Sequence, residues 1–587
     1  MRARLTAAVR ERVDIRDLMP SRADYDLRPR TLRSDLLAGI TVGVVALPLA
    51  LAFGVSSGVG PAAGLVTAVV AGIVAAVFGG SNLQVSGPTG AMAVVLAPIV
   101  AQHGVGSVAL VTLLAGALVL GCGLLRLGRV VTYIPWPVVE GFTLGIAAII
   151  FLQQVPAAVG IAAETGHNTL VTAVRSVGTA IGSGSPADGG LPTWVWTLGV
   201  VGVVAAVMLL LPRVAGALPA SLVAVALVTL LAGLFDAPVP RIGALPGSLP
   251  VPVLPDATPD AVRDLVGAAV AVAALAAIES LLSARVAATM SGAQGRTATY
   301  HPDRELVGQG FASLASGVFG GIPATGAIAR TAVNVRSGAR TRLAAVVHAL
   351  VILAVIYLAT GPVGHIPLAA LAGVLMVTSF RMIGASTIRS VLTSTWPDAL
   401  TFVVTAVITV AFDLIDAVQI GLLVAAFFAL KAVAGAAAVH REPLPGVAHE
   451  GDERIALFRL EGAMFFGASD RILSEVTAIT HGERAGPGGA GGPEDEPCLR
   501  EPVDVVILWL SHLQLVDATG ARALADLVLE LEQRDVTVLV KGIQPQHRKL
   551  LEAVGLNRML AHESHLFTDL PAAVEHARAH VPAPLTA

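Results

Sequence analysis

Charge is scarce in this sequence. Of 587 residues only 13% are Asp, Glu, Lys or Arg, 55% are hydrophobic, and the mean hydropathy is +0.77. That composition cannot cover a soluble surface, so most of the chain faces lipid. Between Asp35 and Arg126 there is no acidic residue, lysine or arginine, a gap several times the ~20 residues of one bilayer crossing. A cytosolic enzyme with a single membrane anchor is thereby excluded. Excess positive charge is also lacking. The formal net charge is -3 and the isoelectric point is near 6.5, which sets nucleic-acid binding aside. Cysteine is limited to Cys122, in an apolar segment, and Cys498, in a polar one, so neither a disulfide framework nor a cysteine metal site is indicated. The segment before Leu36 is rich in arginine and acids and lacks the apolar core and small-residue cleavage site of a secretory signal.

What the sequence has is apolar blocks separated by Gly, Pro and Arg. From Leu36 to His440 they number about a dozen to fourteen at ~20 residues per crossing. Near residue 440 the composition turns abruptly charged and mixed. Three parts follow: an N-terminal arm over 1–35, a transmembrane domain over 36–440 and a C-terminal domain over 441–587. Arg126 with Arg129, Arg213, Arg285 with Arg296 and Arg304, Arg336 with Arg340 and Arg342, and Arg381 with Arg389 occupy alternate connections if fourteen segments are drawn. Cytoplasmic loops retain positive charge. The expectation is a multi-pass plasma (inner) membrane protein whose N-terminus and C-terminal domain both lie in the cytoplasm.

An internal repeat marks two places where the spans break. Val77-Phe78-Gly79-Gly80 precedes Ser-Asn-Leu-Gln-Val-Ser-Gly-Pro-Thr-Gly-Ala-Met, and Val318-Phe319-Gly320-Gly321 precedes Ile-Pro-Ala-Thr-Gly-Ala-Ile-Ala-Arg-Thr. Non-helical backbone at membrane depth survives only inside protein or along a watery cavity. The residues after each break would open a half-helix whose free N-H groups and dipole favour an anion, and paired interrupted spans are the best sequence pointer to a transporter's site. An anion is therefore expected between Thr89, Gly90 and Ala91 and the facing Ala327, Ile328 and Ala329. Thr89 would add a hydroxyl donor, and Gly90 would allow close approach to the backbone. The bland reading makes Gly87-Pro88-Thr89-Gly90 a loop turn. Arg330 would either add a fixed positive charge to the site or snorkel to the interface.

Glu279 lies in an apolar stretch, Ala268 to Ala288, that is otherwise uncharged until Arg285. A carboxylate at that depth is expected to be protonated, cation-bound or paired, with Arg330 or Arg285 as the pairing alternatives. This makes it the natural coupling residue, with Ser283 at i+4 on the same face. Glu140, Asp398, Asp413, Asp416 and Lys431 fall near helix ends, where snorkelling is the default. His103, His348 and His365 stand singly, so no metal is assigned. No resident cofactor is expected beyond a coupling proton or sodium ion.

In the C-terminal part, Arg454 to Leu460, Val503 to Leu510 and Val536 to Val540 read as strands, and Ala518 to Glu532 and Pro545 to Val554 as helices, giving a small α/β sandwich. A Gly- and Pro-rich insertion is expected at about 482–502.

These residues resemble the SulP sulfate permease family of sulfate and anion transporters, which includes prestin. The resemblance rests on Ala46-Leu47-Pro48-Leu49-Ala50-Leu51-Ala52-Phe53-Gly54, on Gly79-Gly80 through Thr89, on Ile278-Glu279-Ser280-Leu281-Leu282-Ser283, and on Gly320-Gly321 through Thr331. It implies a polytopic all-α membrane protein of about fourteen segments in seven-plus-seven inverted repeats. Segments 1–4 and 8–11 would form a core, 5–7 and 12–14 a gate, and the protein a homodimer. It implies that Phe53 lines the anion pocket and that Glu279 with Ser283 binds the coupling cation. Leu49 departs from the Gln of several animal members, and Arg330 matches the sulfate- and dicarboxylate-type members. Val516-Asp517-Ala518-Thr519-Gly520 resembles the signature loop of the STAS domain, in which Thr519 corresponds to a hydroxyl phosphorylated in some relatives; the alternative is that Asp517 and Thr519 only cap a helix. The resemblance leaves room for a cytoplasmic partner of that domain.

The expectation is a proton- or sodium-coupled secondary transporter of a small oxyanion such as sulfate, and not an enzyme. The alternatives are a C4-dicarboxylate or bicarbonate symporter, an uncoupled anion channel, and a membrane-tethered STAS signalling protein.

Overall fold

The computed structural model describes residues 18–20, 24–129, 135–161, 169–182, 191–215, 218–293, 300–411, 414–435, 438–465, 476 and 503–581. Arg296, Asp413, Cys498 and the insertion at about 482–502 lie outside the described residues, as does most of the N-terminal arm. The chain divides into two compact units, Met1–Leu422 and Leu423–Ala587.

The first unit is helical. The first seven principal helices are α1 (Pro29–Ser56), α2 (Pro61–Phe78), α3 (Gly90–His103), α4 (Ser107–Leu124), α5 (Trp136–Ala158), α6 (Thr193–Val214) and α7 (Ala220–Leu234). The second seven are α8 (Pro259–Ala293), α9 (Pro302–Val318), α10 (Ile328–Arg336), α11 (Leu343–Leu358), α12 (Leu368–Met382), α13 (Trp396–Ala411) and α14 (Leu414–Gly435), the last continuing past the division between the units. An amphipathic helix, Thr169–Gly182, lies between α5 and α6. The two short members, α3 and α10, stand third in their sets, each after a two-residue strand: β1 (Ser86–Gly87) and β2 (Thr325–Gly326).

Those strands pair antiparallel, Ser86 opposite Gly326 and Gly87 opposite Thr325, so the broken spans meet from opposite directions. The pairing supplies hydrogen bonds that lipid cannot. Helix packing sorts the rest. Helix α1 lies on α11, α2 on α9 and α11, and α4 on α8 and α9, whereas α5 lies on α12 and α13, and α6 on α12. The core set and the gate set thus each cohere within themselves.

Small residues permit the closest approaches. A Cβ built on Gly64 of α2 would lie 1.9 Å from the Ala50 carbonyl oxygen of α1, and one on Gly54 would lie 2.4 Å from the Gly60 oxygen. Helix contact in lipid depends on such backbone proximity because no hydrophobic gain drives association there.

The second unit contains a five-stranded sheet, β3 (Ala438–Glu442), β4 (Ile455–Met464), β5 (Val505–Val516), β6 (Thr537–Lys541) and β7 (Leu566–Phe567), paired in that order. β3 is antiparallel to β4 and the remaining pairs are parallel. The sheet therefore begins before the compositional change at residue 440. Helices α15 (Ala518–Glu532) and α16 (Pro545–Ala553) fall where the apolar pattern places them, while α17 (Leu570–His580) and the edge strands carry too little pattern to be read. The central strand β5 is buried along most of its length, as its continuous apolar run requires.

Candidate functional site

The site grows from the two breaks. Thr89 is the N-cap of α3 and Ala327 the N-cap of α10, and neither helix start receives a side-chain capping bond. The first amides of each helix, at Gly90 and Ala91 and at Ile328 and Ala329, have no intrahelical carbonyl to meet. The Thr89 hydroxyl is committed elsewhere: it donates to Glu279 Oε2 at 2.9 Å. Thr325 Oγ1 lies 2.8 Å from the same oxygen and 3.0 Å from Thr89 Oγ1. Three oxygens from α3, α8 and the second break thus converge on one point, with Glu279 partly exposed and its neighbour Ser280 fully buried. Ser280 accepts from the Gly326 amide at 3.1 Å, which fixes the break against α8.

Arg330 is 2% exposed, so the snorkelling alternative fails. Its guanidinium turns back across the break, where Nη2 donates to the Pro88 carbonyl and Nη1 is buried with no hydrogen-bond partner among the described residues. Gly87 makes room for it: with φ +155°, a Cβ there would sit 2.7 Å from Nη1. No close ion-pair contact joins Glu279 to Arg330 or Arg285 among the described residues, although the Arg330 charge acts on the carboxylate from a distance.

Phe53, 8% exposed, and Ile150 cover the start of α3. A Cβ on Gly90 would lie 2.3 Å from Ile150 Cδ1 and 3.2 Å from Phe53 Cε1. Because Ile150 belongs to α5, the half-helix tip sits where the core set meets the gate set. Ser283 makes no hydrogen bond to the carboxylate among the described residues. Its hydroxyl lies 3.2 Å from Thr331 Oγ1, which in turn accepts from the Val85 amide at 3.0 Å, one layer along the same junction.

Each break is braced from outside. Glu305 of α9, 1% exposed, accepts the Gly80 and Ser81 amides at 2.8 and 3.1 Å and a Gln309 Nε2 donor at 2.8 Å. Thr67 of α2 accepts the Ile322 amide at 2.8 Å, and Ser316 donates to the Ile322 carbonyl at 2.7 Å. The arginines at the helix ends are not all loop charges. Arg304 and Arg342, buried at 5% and 1% exposure, both reach Asp24 of the N-terminal arm, at 2.6 and 3.6 Å.

Residues 32–405 match the sulfate permease family, and residues 447–573 match the STAS domain. The chain belongs to the sulfate permease family. It is a membrane anion transporter of that family carrying a STAS domain, and not an enzyme. It is 33% identical to YvdB of Bacillus subtilis, named as a presumed sulfate transporter, over 89% of this chain and 94% of the relative. It is 30% identical to the bicarbonate transporter BicA of Synechocystis, over 93% and 94%. The solved transmembrane domain of a cyanobacterial BicA superposes with TM-score 0.59 at 32% identity, covering 67% of this chain and 99% of that one. Murine Solute Carrier 26 family member A9, an anion transporter solved in the inward-facing state, superposes with TM-score 0.78 at 16% identity over 95% and 93%; at that identity the likeness shows a shared fold.

Within this transporter several site neighbours escaped the sequence. Thr325 is the repeat equivalent of Thr89, since Thr-Gly-Ala recurs in both, yet α10 starts two residues later than α3 does relative to that triplet. The signal was present, and the shift in helix start hid it. Gln84, 5% exposed with both polar atoms unpartnered among the described residues, lies over Gly326, where a Cβ would be 1.7 Å from its Nε2. His348 is fully buried on α11. In the STAS domain Asp517 caps α15 by accepting from the Gly520 amide at 2.7 Å, while Thr519 is exposed and makes no capping bond, so capping accounts for Asp517 alone.

Proposed function

We propose that this protein is a secondary active transporter of a small sulfate-type oxyanion, coupled to a proton or sodium ion through Glu279. One observation carries the reading: Glu279 Oε2 accepts the hydroxyls of Thr89 and Thr325, residues of the two opposed breaks. The anion binds the free amides at Gly90, Ala91, Ile328 and Ala329, with the Arg330 charge behind them and Phe53 beside them. Its charge and that of Glu279 repel until a proton or cation fills the carboxylate. The hydroxyls of Thr89 and Thr325 then turn from donors into oxygen ligands for sodium, or keep their bonds around a protonated acid. Cation and anion accordingly favour each other's binding, which is symport.

Alternating access follows from movement of α1–α4 and α8–α11 against α5–α7 and α12–α14, with Ile150 on the gate side of the junction. The functional unit is a homodimer in the plasma membrane with both ends of the chain in the cytoplasm, where exposed Thr519 offers a contact or modification point for a partner. Likeness to BicA supports bicarbonate as the second reading; the buried Arg330 favours a more highly charged oxyanion.

The test is uptake into liposomes of labelled sulfate, bicarbonate or succinate under imposed proton or sodium gradients. Glu279→Gln is expected to abolish gradient-driven uptake while leaving anion exchange. Full driven uptake by this variant rejects the coupling role, and bicarbonate uptake without sulfate uptake selects the second reading.

A further inference from the structure

We propose that His565, His576 and His580 form a binding site for a divalent transition-metal ion, zinc by ligand chemistry, at the end of the STAS domain. His576 and His580 are one turn apart on α17 and share a face. Their Nε2 atoms lie 3.2 Å apart. A tetrahedral zinc with nitrogens at 2.0–2.1 Å sets those nitrogens about 3.3 Å from each other, so the pair already has the bite of two ligands. His565 arrives from elsewhere in the chain, on the 3-10 turn Glu563–His565 that leads into β7. Its ring centroid stands 5.4 Å from that of His576 and 5.3 Å from that of His580. One ligand atom from each of the three lies within 4.8 Å of the others, and His580 is the exposed member.

The surroundings suit an ion. His565 is 3% exposed, and its Nδ1 is buried with no hydrogen-bond partner among the described residues, a polar group that burial otherwise leaves uncompensated. Phe567 packs 5.3 Å from the His576 ring and forms an apolar wall. Arg578, between the two helix ligands in sequence, is turned to Asp452, where two bonds of 2.8 Å neutralise its charge. Three imidazoles select zinc, nickel, cobalt or copper over calcium or magnesium, and three protein ligands leave a fourth position for water. The bound ion would tie the last turn of α17 to the turn before β7. The competing account is a hydrogen bond between His576 Nε2 and His580 Nε2 with edge-to-face ring packing, and it leaves the buried His565 Nδ1 without a role.

The experiment uses the full-length protein, purified in detergent without a polyhistidine tag, with zinc measured by equilibrium dialysis and cobalt by its visible ligand-field absorption. The expected result is one zinc per chain and a tetrahedral cobalt spectrum. His576→Gln and His580→Gln, at accessible positions, are each expected to weaken zinc at least about tenfold, since even groups that only support a ligand are worth that much. His562→Gln should leave affinity unchanged, because His562 lies outside the group whose ligand atoms come within 4.8 Å of one another and its Nδ1 is held by Ser564. Zinc binding that persists undiminished in the His576→Gln/His580→Gln double variant overturns the proposal, as does a wild-type protein that gives no tetrahedral cobalt spectrum. Retained anion uptake by the variants establishes that they are folded.

Discussion

Arg330 and Glu279 face the same problem with different solutions. Each is an ionisable group inside the membrane domain, where an unpaired ion costs several kcal/mol. Glu279 is met by two threonine hydroxyls, whereas Arg330 satisfies one nitrogen at Pro88 and keeps another buried without a hydrogen-bond partner among the described residues. In the proposed function, an oxyanion at the half-helix tips would supply what Nη1 lacks. Arg330→Ala is therefore expected to raise the half-saturation concentration for transported anion roughly thirtyfold, the equivalent of about 2 kcal/mol for a charge-assisted bond. Initial-rate uptake across a concentration series measures it, and an unchanged half-saturation concentration removes Arg330 from the site. Thr325→Val tests the carboxylate network separately. It deletes one of two donors to Glu279 and should shift the cation or pH dependence of uptake with little change in anion affinity.

Among the elements, length and glycine govern what packs. Helices α3 and α10 are too short to cross a bilayer, and their tips are held in mid-domain by the pairing of β1 with β2 and by side chains that brace the breaks, Glu305, Thr67, Ser316 and Ser280 among them. The contact of α1 with α2 rests on Gly64. Gly64→Ala places a methyl 1.9 Å from the Ala50 oxygen, so the helices must separate. The expected cost is about 1–3 kcal/mol, read as a lower melting temperature of the purified protein in detergent. Gly520→Ala does the same within the STAS domain, where its Cβ would lie 2.1 Å from the Met464 oxygen at the start of α15. Faster proteolytic loss of that domain checks it. Sequence alone located both breaks, because Gly-Gly followed by Pro, Thr and Gly interrupts an apolar run visibly. It could not locate the braces, since Glu305 and Thr67 look like ordinary members of their helices until the chain folds.

At the scale of the whole molecule, each unit carries its own stabilising chemistry. In the C-terminal unit the Arg578 guanidinium holds the Asp452 carboxyl below the usual carboxylate range by donating hydrogen bonds to it. The unfolded carboxyl binds protons more readily, so this contribution is complete above the unfolded pKa of about 4 and disappears as pH falls through the lower folded value. Asp452→Asn should lower the domain's resistance to unfolding at neutral pH and flatten its acid dependence, followed by protease susceptibility of the full-length protein between neutral and acid pH. Equal acid sensitivity in variant and wild type removes this pair as the cause.

The amino-acid sequence by itself determined a membrane protein of about fourteen spans with two interrupted helices and an α/β domain, because hydropathy, strand alternation and glycine-proline punctuation are local properties that no distant contact reverses. Tertiary structure alone decided which side chains share a point in space. Thr89 meets Thr325 across 236 positions, Arg330 folds back onto the first break instead of reaching for the interface, Ser283 turns to Thr331, and His565 comes to the histidine pair of α17. Those meetings depend on strand register and helix rotation, which burial of the whole domain fixes and no short stretch of residues encodes.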